Sequence, residues 1–424
     1  MDTKTPPLNP ELAHYAALDA RMVQAVRGIE VLATVSWPAQ AQTDFLAARE
    51  RGNLQMPRIA YPKQQHAAVR AELEAISADT DLTHPVGAYI ARTCESWNIA
   101  TLLLEALGTP GITEHSMRLF GKPGDHLPGD GPSNIEAAQH FIAIADELDR
   151  ELTTGIAAAT ISAETLRDEL QRKLDAFFVH HSISVVLDPC LIAKAAAGPT
   201  RIRLRSTAAF SEYDGHQLLE HEAFVHSLTA LNGREQPWLK SMARSSPRVT
   251  ATQEGLATFA EQITGAIDIE RMKRISLRII AIDMALSGAN FLDVFDFFLG
   301  AGQSPTDSFT SAQRVFRGAP LGGGSAFTKD TVYLHGLLSV HTFFRWALRN
   351  RRLPLCRLLF AGKMALQDVL AFEPLYEQGF LAPPLYLPPW VQRANGLAGM
   401  LAFSLFVNKI RLDHVDVGDL VLGL

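Results

Sequence analysis

Cysteine is scarce in this chain and scattered. The three present, Cys94, Cys190 and Cys356, are odd in number and far apart. That pattern excludes a disulfide framework and fits a reducing compartment, with each thiol an inert core residue. Basic runs are missing too, as are basic patches interleaved with aromatics, and the formal net charge is -6, so nucleic acid is not an expected partner. Long apolar runs are also lacking. The longest, Gly396 to Val407, falls short of the roughly 20 residues a membrane-spanning helix needs. The opening residues Met1 to Pro7 contain no apolar signal core, and the expectation is a cytoplasmic protein with no membrane partner. What remains is the balance of an ordinary globular enzyme, 47% hydrophobic and 20% charged over 424 residues, enough for one large core or two smaller ones.

Chemistry concentrates between Gly215 and Gly233, where His221 is followed directly by Glu222 and, five positions after His221, by His226. Zinc-dependent hydrolysis needs neutral imidazole ligands and a carboxylate able to take a proton from water beside the ion, and this stretch supplies both on an apolar helix. A third ligand is required. Glu254, in Gln253-Glu-Gly-Leu-Ala257 at the start of a second helical pattern, is assigned that place. The usual zinc-peptidase helix spaces its histidines four apart; five residues at about 100° each leave these two about 140° apart on a regular helix. A π-type turn, bonded i to i+5, would restore a common face, so a local distortion is expected here. The plain alternative is two histidines of an amphipathic helix with no ligand role. Glu261, two turns beyond Glu254, is placed either to support a ligand histidine or to sit as an exposed helix charge.

Along the chain, helical periodicity runs from about Glu11 to Val35, with Leu12, Tyr15, Leu18, Met22 and Val26 on one stripe. It resumes at His66 to Ile76 and Pro85 to Leu107, and all of this reads as packing. The glycine- and proline-rich segment Gly121 to Ser133 breaks the pattern and suggests a division into an N-terminal helical region, 1–125, and a catalytic domain, 126–424. Ser133 with Glu136 has the form of a capping box, followed by a helix to about Leu152. Ser182 to Leu187 and Arg201 to Arg205 read as strands. In the second, Arg201, Arg203 and Arg205 share a face opposite Ile202 and Leu204: a solvated strand face, or an edge beside the cleft that pairs with an extended peptide. Gly300 to Phe327 is loop-rich; its Leu321-Gly-Gly-Gly-Ser325 lacks the ending of a phosphate loop and reads better as a mobile flap beside the site. Thr328 to Gly336 then opens a long helix to about Asn350 and gathers Lys329, Tyr333 and His335.

Several of these boxes together resemble the bacterial QEGLA-motif family. They are the histidine stretch, Asn232-Gly233 with Gln236-Pro237, residues 253–257, Arg314 to Gly318, and Thr328-Lys-Asp with Tyr333 and Gly336. That family is described as modulating flavohemoglobin expression and is related to animal tyrosine carboxypeptidases that trim tubulin. The resemblance runs from about Ile90 to the C-terminus, with weaker echoes at Ser116 to Pro123 and Pro383 to Trp390. It implies that His221, His226 and Glu254 ligate Zn2+ and that Glu222 is catalytic.

The resulting expectation is an α+β, predominantly helical chain holding a zinc-metallopeptidase-like domain, with a small β-sheet beside the metal helix. Its activity would be that of a carboxypeptidase acting on a peptide or protein C-terminus, Glu222 serving as general base. Tyr333 and His335 are candidate oxyanion donors by analogy of role. Arg317, Lys329, Arg203 and Arg205, in falling order, are candidate cations for a substrate carboxylate. Two alternatives stay open: a non-enzymatic metal-binding regulator, and a hydrolase of a non-peptide substrate. Structural zinc sites are usually closed by four protein ligands, and two histidines with one glutamate favour an open, catalytic site.

Overall fold

The apolar stripe of Tyr15, Leu18 and Met22 builds helix α1, Pro10–Ala25. It stops before Gly28, a poor helix former, and a separate single turn at Val31–Thr34 stands where one helix through Val35 was expected. The structure, a computed structural model, describes residues 10–148, 160–189, 191 and 194–410. Helix α2, Pro85–Glu105, is apolar on most sides and correspondingly buried, from Val86 and Tyr89 to Leu104. Pro85 occupies its first turn, and His84 Nδ1 accepts the Val86 N–H at 3.2 Å. The expected capping box of Ser133 and Glu136 starts α3, Asn134–Glu147, which ends short of Leu152 as Leu148 turns extended. Residues beyond 148 in the expected helix lie outside the described set. One hydrophobic cluster joins Tyr15 of α1 to Leu256 and on to Leu401. Cys94 and Cys356 are buried free thiols; Cys190 is not among the described residues.

Among the described residues, two small sheets complete the predominantly helical α+β arrangement. Strand β1 (Ile161–Ser162) pairs antiparallel with β5 (Ala209–Phe210). In the other sheet β4 (Arg201–Arg205) lies between β2 (Ser184–Asp188), to which it is parallel, and β3 (Ala195–Gly198), to which it is antiparallel. The alternation read in β4 holds: Ile202 and Leu204 are buried, while Arg201 and Arg203 are exposed. The edge-strand reading does not, because both sides of the β4 backbone are already paired and cannot take up a peptide. It is β2 and β3 that end the sheet.

The segment bearing His221, Glu222 and His226 is a π-helix, Leu218–Ser227, continued by α4, Leu228–Arg234. Then come α5 (Thr250–Thr264), α6 (Ile269–Leu286), α7 (Phe291–Gly300), α8 (Pro305–Phe316) and α9 (Thr331–Arg349). Helix α5 stops at Gly265, whose left-handed φ of 73° suits glycine. Helix α8 lies inside the stretch expected to be loop; its Ser304 cap and Pro305 are an N-terminal signal that the surrounding glycines obscured. Nor is the 321–325 segment a flap at the site. Leu321 O accepts the Phe291 N–H at 2.9 Å, and Gly324 N–H reaches Ala285 O at 2.8 Å. A Cβ at Gly323 would stand 2.1 Å from Gly288 O, so the run is fastened to the turn between α6 and α7. Among the described residues no helix is long and apolar enough to cross a membrane.

Helices α5 and α9 cross backbone to backbone. A Cβ on Gly255 would lie 2.2 Å from the Gly336 carbonyl carbon, and one on Gly336 would lie 2.3 Å from Ala251 O. Gly255→Ala and Gly336→Ala should therefore each destabilise the fold by about 1–3 kcal/mol or more through overpacking. Gly300→Ala, with nothing within 4 Å of the new methyl, should be neutral or slightly stabilising. Urea midpoints of the three variants check this; equal stability of Gly255→Ala and the parent would contradict the close crossing.

Candidate active site

The i to i+5 bonding of the π-helix is what lets His221 and His226 face one another. Leu228 N–H, for example, bonds Ala223 O, and the wider turn returns the fifth residue to the same side. The expected distortion is thus present and extends over the whole element. The two Nε2 atoms stand 3.2 Å apart, and Glu254 Oε2, reaching in from α5, lies 3.6 Å from each. Three atoms at these separations can share a centre ~2 Å from all of them, which is the bond length of zinc to nitrogen and oxygen. Glu222 stands beside them: a carboxylate oxygen of Glu222 and the donor nitrogens of the two histidines lie within 4.8 Å of one another.

Neighbouring groups set the donors' states. Glu261 is fully buried and accepts from His221 Nδ1 at 2.5 Å, which leaves the Nε2 lone pair directed at the centre. Glu261 is in turn held by Arg271, through Nε and, at 2.7 Å, through Nη2. Glu261 is therefore not an exposed helix charge; it holds the His221 ring. Burial by itself would lower the pKa of His221, but Glu254, Glu261 and Glu222 raise it to about 10. Burial would likewise raise Glu254, yet Lys329 and the two histidines pull it well below the usual carboxylate range. The surrounding anions therefore favour a cation at this point, and a dication binding there displaces protons. The donor set suits a divalent ion.

Lys329 Nζ donates to Glu254 Oε1 at 2.8 Å and to the Tyr333 hydroxyl at 3.3 Å. Tyr333 also accepts from Arg314 Nη2 at 3.4 Å. With both lone pairs of its oxygen engaged, the Tyr333 O–H is left to donate. Arg314 makes a bidentate pair with Asp330, at 2.5 and 2.8 Å, and Arg278 approaches the same carboxylate at 3.6 Å. The boxes at 314–318 and 328–333 thus meet as one buried ion network behind the site.

The centre opens into a cavity of about 990 Å³, lined by His221, Glu222, His226, Glu254, Lys329 and Tyr333 among others. Other proposed residues lie elsewhere. His335, two positions from Tyr333 and so on another side of α9, does not line the cavity; burial lowers its pKa, with Asp125 nearby. Arg317 is also outside it, where burial and Arg314 bring its pKa down to about 10. Arg203 is exposed and pairs with Asp188 at 3.3 Å, and Arg205 lies on the same strand, outside the lining. Lys329 is at the site but already engaged by Glu254.

Three contributions escaped the sequence reading. Val23, Ile29 and Val31, near the N-terminus, form part of the cavity wall, a stretch expected only to pack. Trp97 and Phe120 give it an aromatic surface, although no aromatic pocket was legible. Lys363 projects into it from a loop far along the chain; a lone lysine in an apolar stretch carries no local signal. At the cleft side of the sheet, Ala197 and Gly198 of β3 line the cavity.

Two comparisons bear on identity. A family model described as microtubule-associated tyrosine carboxypeptidase matches residues 43–409, beginning well before the Ile90 at which the resemblance was expected to start. No curated protein matches the chain significantly.

Asp330 answers two buried guanidiniums. Asp330→Asn should leave Arg314 and Arg278 without an anion, cost about 3–5 kcal/mol and loosen Tyr333. Chemical denaturation measures the loss. A variant within about 0.5 kcal/mol of the parent would show that the network does not hold this wall.

Proposed function

Because the chain belongs to the microtubule-associated tyrosine carboxypeptidase family, we propose that it removes the C-terminal residue of a peptide or protein, using a zinc ion held by His221, His226 and Glu254. The observation that carries this reading is the triangle formed by the two Nε2 atoms and Glu254 Oε2, with Glu222 beside it and a cavity in front. The boxes at 253–257 and 314–318 support a place in the bacterial QEGLA-motif branch.

When bound, such an ion supplies a Lewis acid and brings the pKa of water toward about 7. A Glu222 carboxylate oxygen accepts the proton of the attacking water and returns it to the departing amine. The Tyr333 O–H donates to the oxygen of the carbonyl under attack as negative charge develops on it. Glu261, holding His221 Nδ1–H, fixes the ring so that Nε2 faces inward, and Lys329 keeps Glu254 ionised and aimed. The wall of Trp97, Phe120 and Val249 receives the side chain of the residue removed. Tyrosine fits both the family's description and that apolar surface.

Glu254→Ala should lower bound zinc per chain, because one of three ligands is lost; unchanged stoichiometry by metal analysis would remove Glu254 from the set. Glu222→Gln should keep the metal and lose roughly a hundredfold or more in kcat, since general-base contributions are about 10² to 10⁴. The direction of attack is read with peptides ending in tyrosine. Free acids should each lose one residue, and the matching amides should stay intact. Internal cleavage, or equal cutting of the amides, would rule out the carboxypeptidase reading.

A further inference from the structure

Lys363 is only 6% exposed and lines the cavity that holds Glu222 and Glu254. Its ammonium makes no hydrogen bond or ion pair with the described residues; the charges that act on it are those two carboxylates, across space. Its position is built. Asn232 Nδ2 donates to Phe360 O at 2.7 Å and Gln236 Nε2 to Ala361 O at 2.9 Å, so the end of the histidine-bearing helix grips the loop just before the lysine. The Lys363 N–H donates to Met242 O at 2.7 Å. Gly362 lies so close to Met242 that a Cβ there would come within 2.8 Å of its side chain.

The other cations around the cavity are accounted for. Lys329 is held by Glu254 and Tyr333. Lys240 donates to Gln236 O and Arg244 to Arg27 O, and both are exposed. Arg234 is exposed at the mouth, where water and salt weaken its pull on any one group. Burial lowers the pKa of Lys363 to about 8, which leaves it mainly protonated at neutral pH. An ammonium on a largely buried side chain, with no partner among the described residues, is stabilised when an anion joins it, and Glu254 is already committed. The substrate brings the missing anion.

The geometry points to Lys363 as the receptor for the free α-carboxylate of the substrate's last residue. This rests on the carboxypeptidase reading for its ligand, and it explains why the cut would fall one residue from the end: the carboxylate, once paired with a cation locked to the histidine helix, leaves only the terminal amide at the centre.

The test separates the two ideas. Zinc-loaded Glu222→Gln protein is titrated with a fluorescent peptide ending in tyrosine, as free acid and as amide, with and without Lys363→Met. The free acid should bind about 10- to 100-fold more tightly than the amide, the range of a charge-assisted hydrogen bond. Lys363→Met should cut that ratio to less than about threefold while leaving amide binding unchanged. A ratio that survives the substitution, or no preference in the parent, overturns the assignment. Should Lys363→Met melt below the assay temperature, Lys363→Gln, which keeps the length and polarity without the charge, is read in the same way. Turnover is assayed separately: wild-type protein that shortens no free-acid peptide defeats the carboxypeptidase reading, while the binding ratio still decides the role of Lys363.

Discussion

Where α5 and α9 cross, Gly255 and Gly336 bring main chain against main chain, and a Cβ on either would stand 2.2 to 2.3 Å from the opposing backbone. The site depends on that approach. Glu254 precedes Gly255, Lys329 sits in the turn just before α9 and Tyr333 in its first turn, so the distance between the helices decides whether Lys329 reaches Glu254 and whether Glu254 reaches the histidines. Interiors pack too tightly to absorb an added methyl without moving one helix. A shift of an ångström would take Glu254 Oε2 out of the triangle it makes with the two imidazoles.

Charge is distributed over this frame so that buried carboxylates and cations answer one another. Glu261 stands between His221 and Arg271, Glu254 between the histidines and Lys329, and Asp330 between Arg314 and Arg278. Burying any of these ions singly would be expensive, and each pair or triad offsets the desolvation of its members. Such networks also orient: Arg271 fixes Glu261, Glu261 fixes the His221 ring, and the ring presents one defined nitrogen to the centre. Lys363 stands outside this pattern, since no described residue pairs with its ammonium.

Much of the centre was legible because it rests on short-range order. His221, Glu222 and His226 lie on one element, so their spacing could be converted into geometry, and the five-residue interval itself called for π bonding. Glu254 and Glu261, two turns apart on one helix, were related by the same arithmetic. Capping signals such as Ser133 with Glu136 identified a helix start because the hydrogen bonds involved span only three residues. The failures were long-range. Arg317 and His335 looked suitable by residue type, yet Arg317, just past α8, and His335, on α9, do not line the cavity. The glycines at 322–324 suggested mobility, whereas Gly323 is needed for close contact with Gly288.

By itself the sequence determined which elements form, through periodicity, caps and glycine positions, and which side chains on a single element share a face. It also determined the chemical kind of the centre, two imidazoles with carboxylates, because those types and intervals leave few other uses. Only the tertiary structure decided which distant groups come together: Lys329 with Glu254, Asp330 with Arg314 and Arg278, and the 23–33 stretch and Lys363 in the wall of one cavity. The physical reason is that local order follows from backbone bonding over a few residues, while the direction a lone lysine or arginine finally faces depends on how whole helices pack, and no local pattern encodes that.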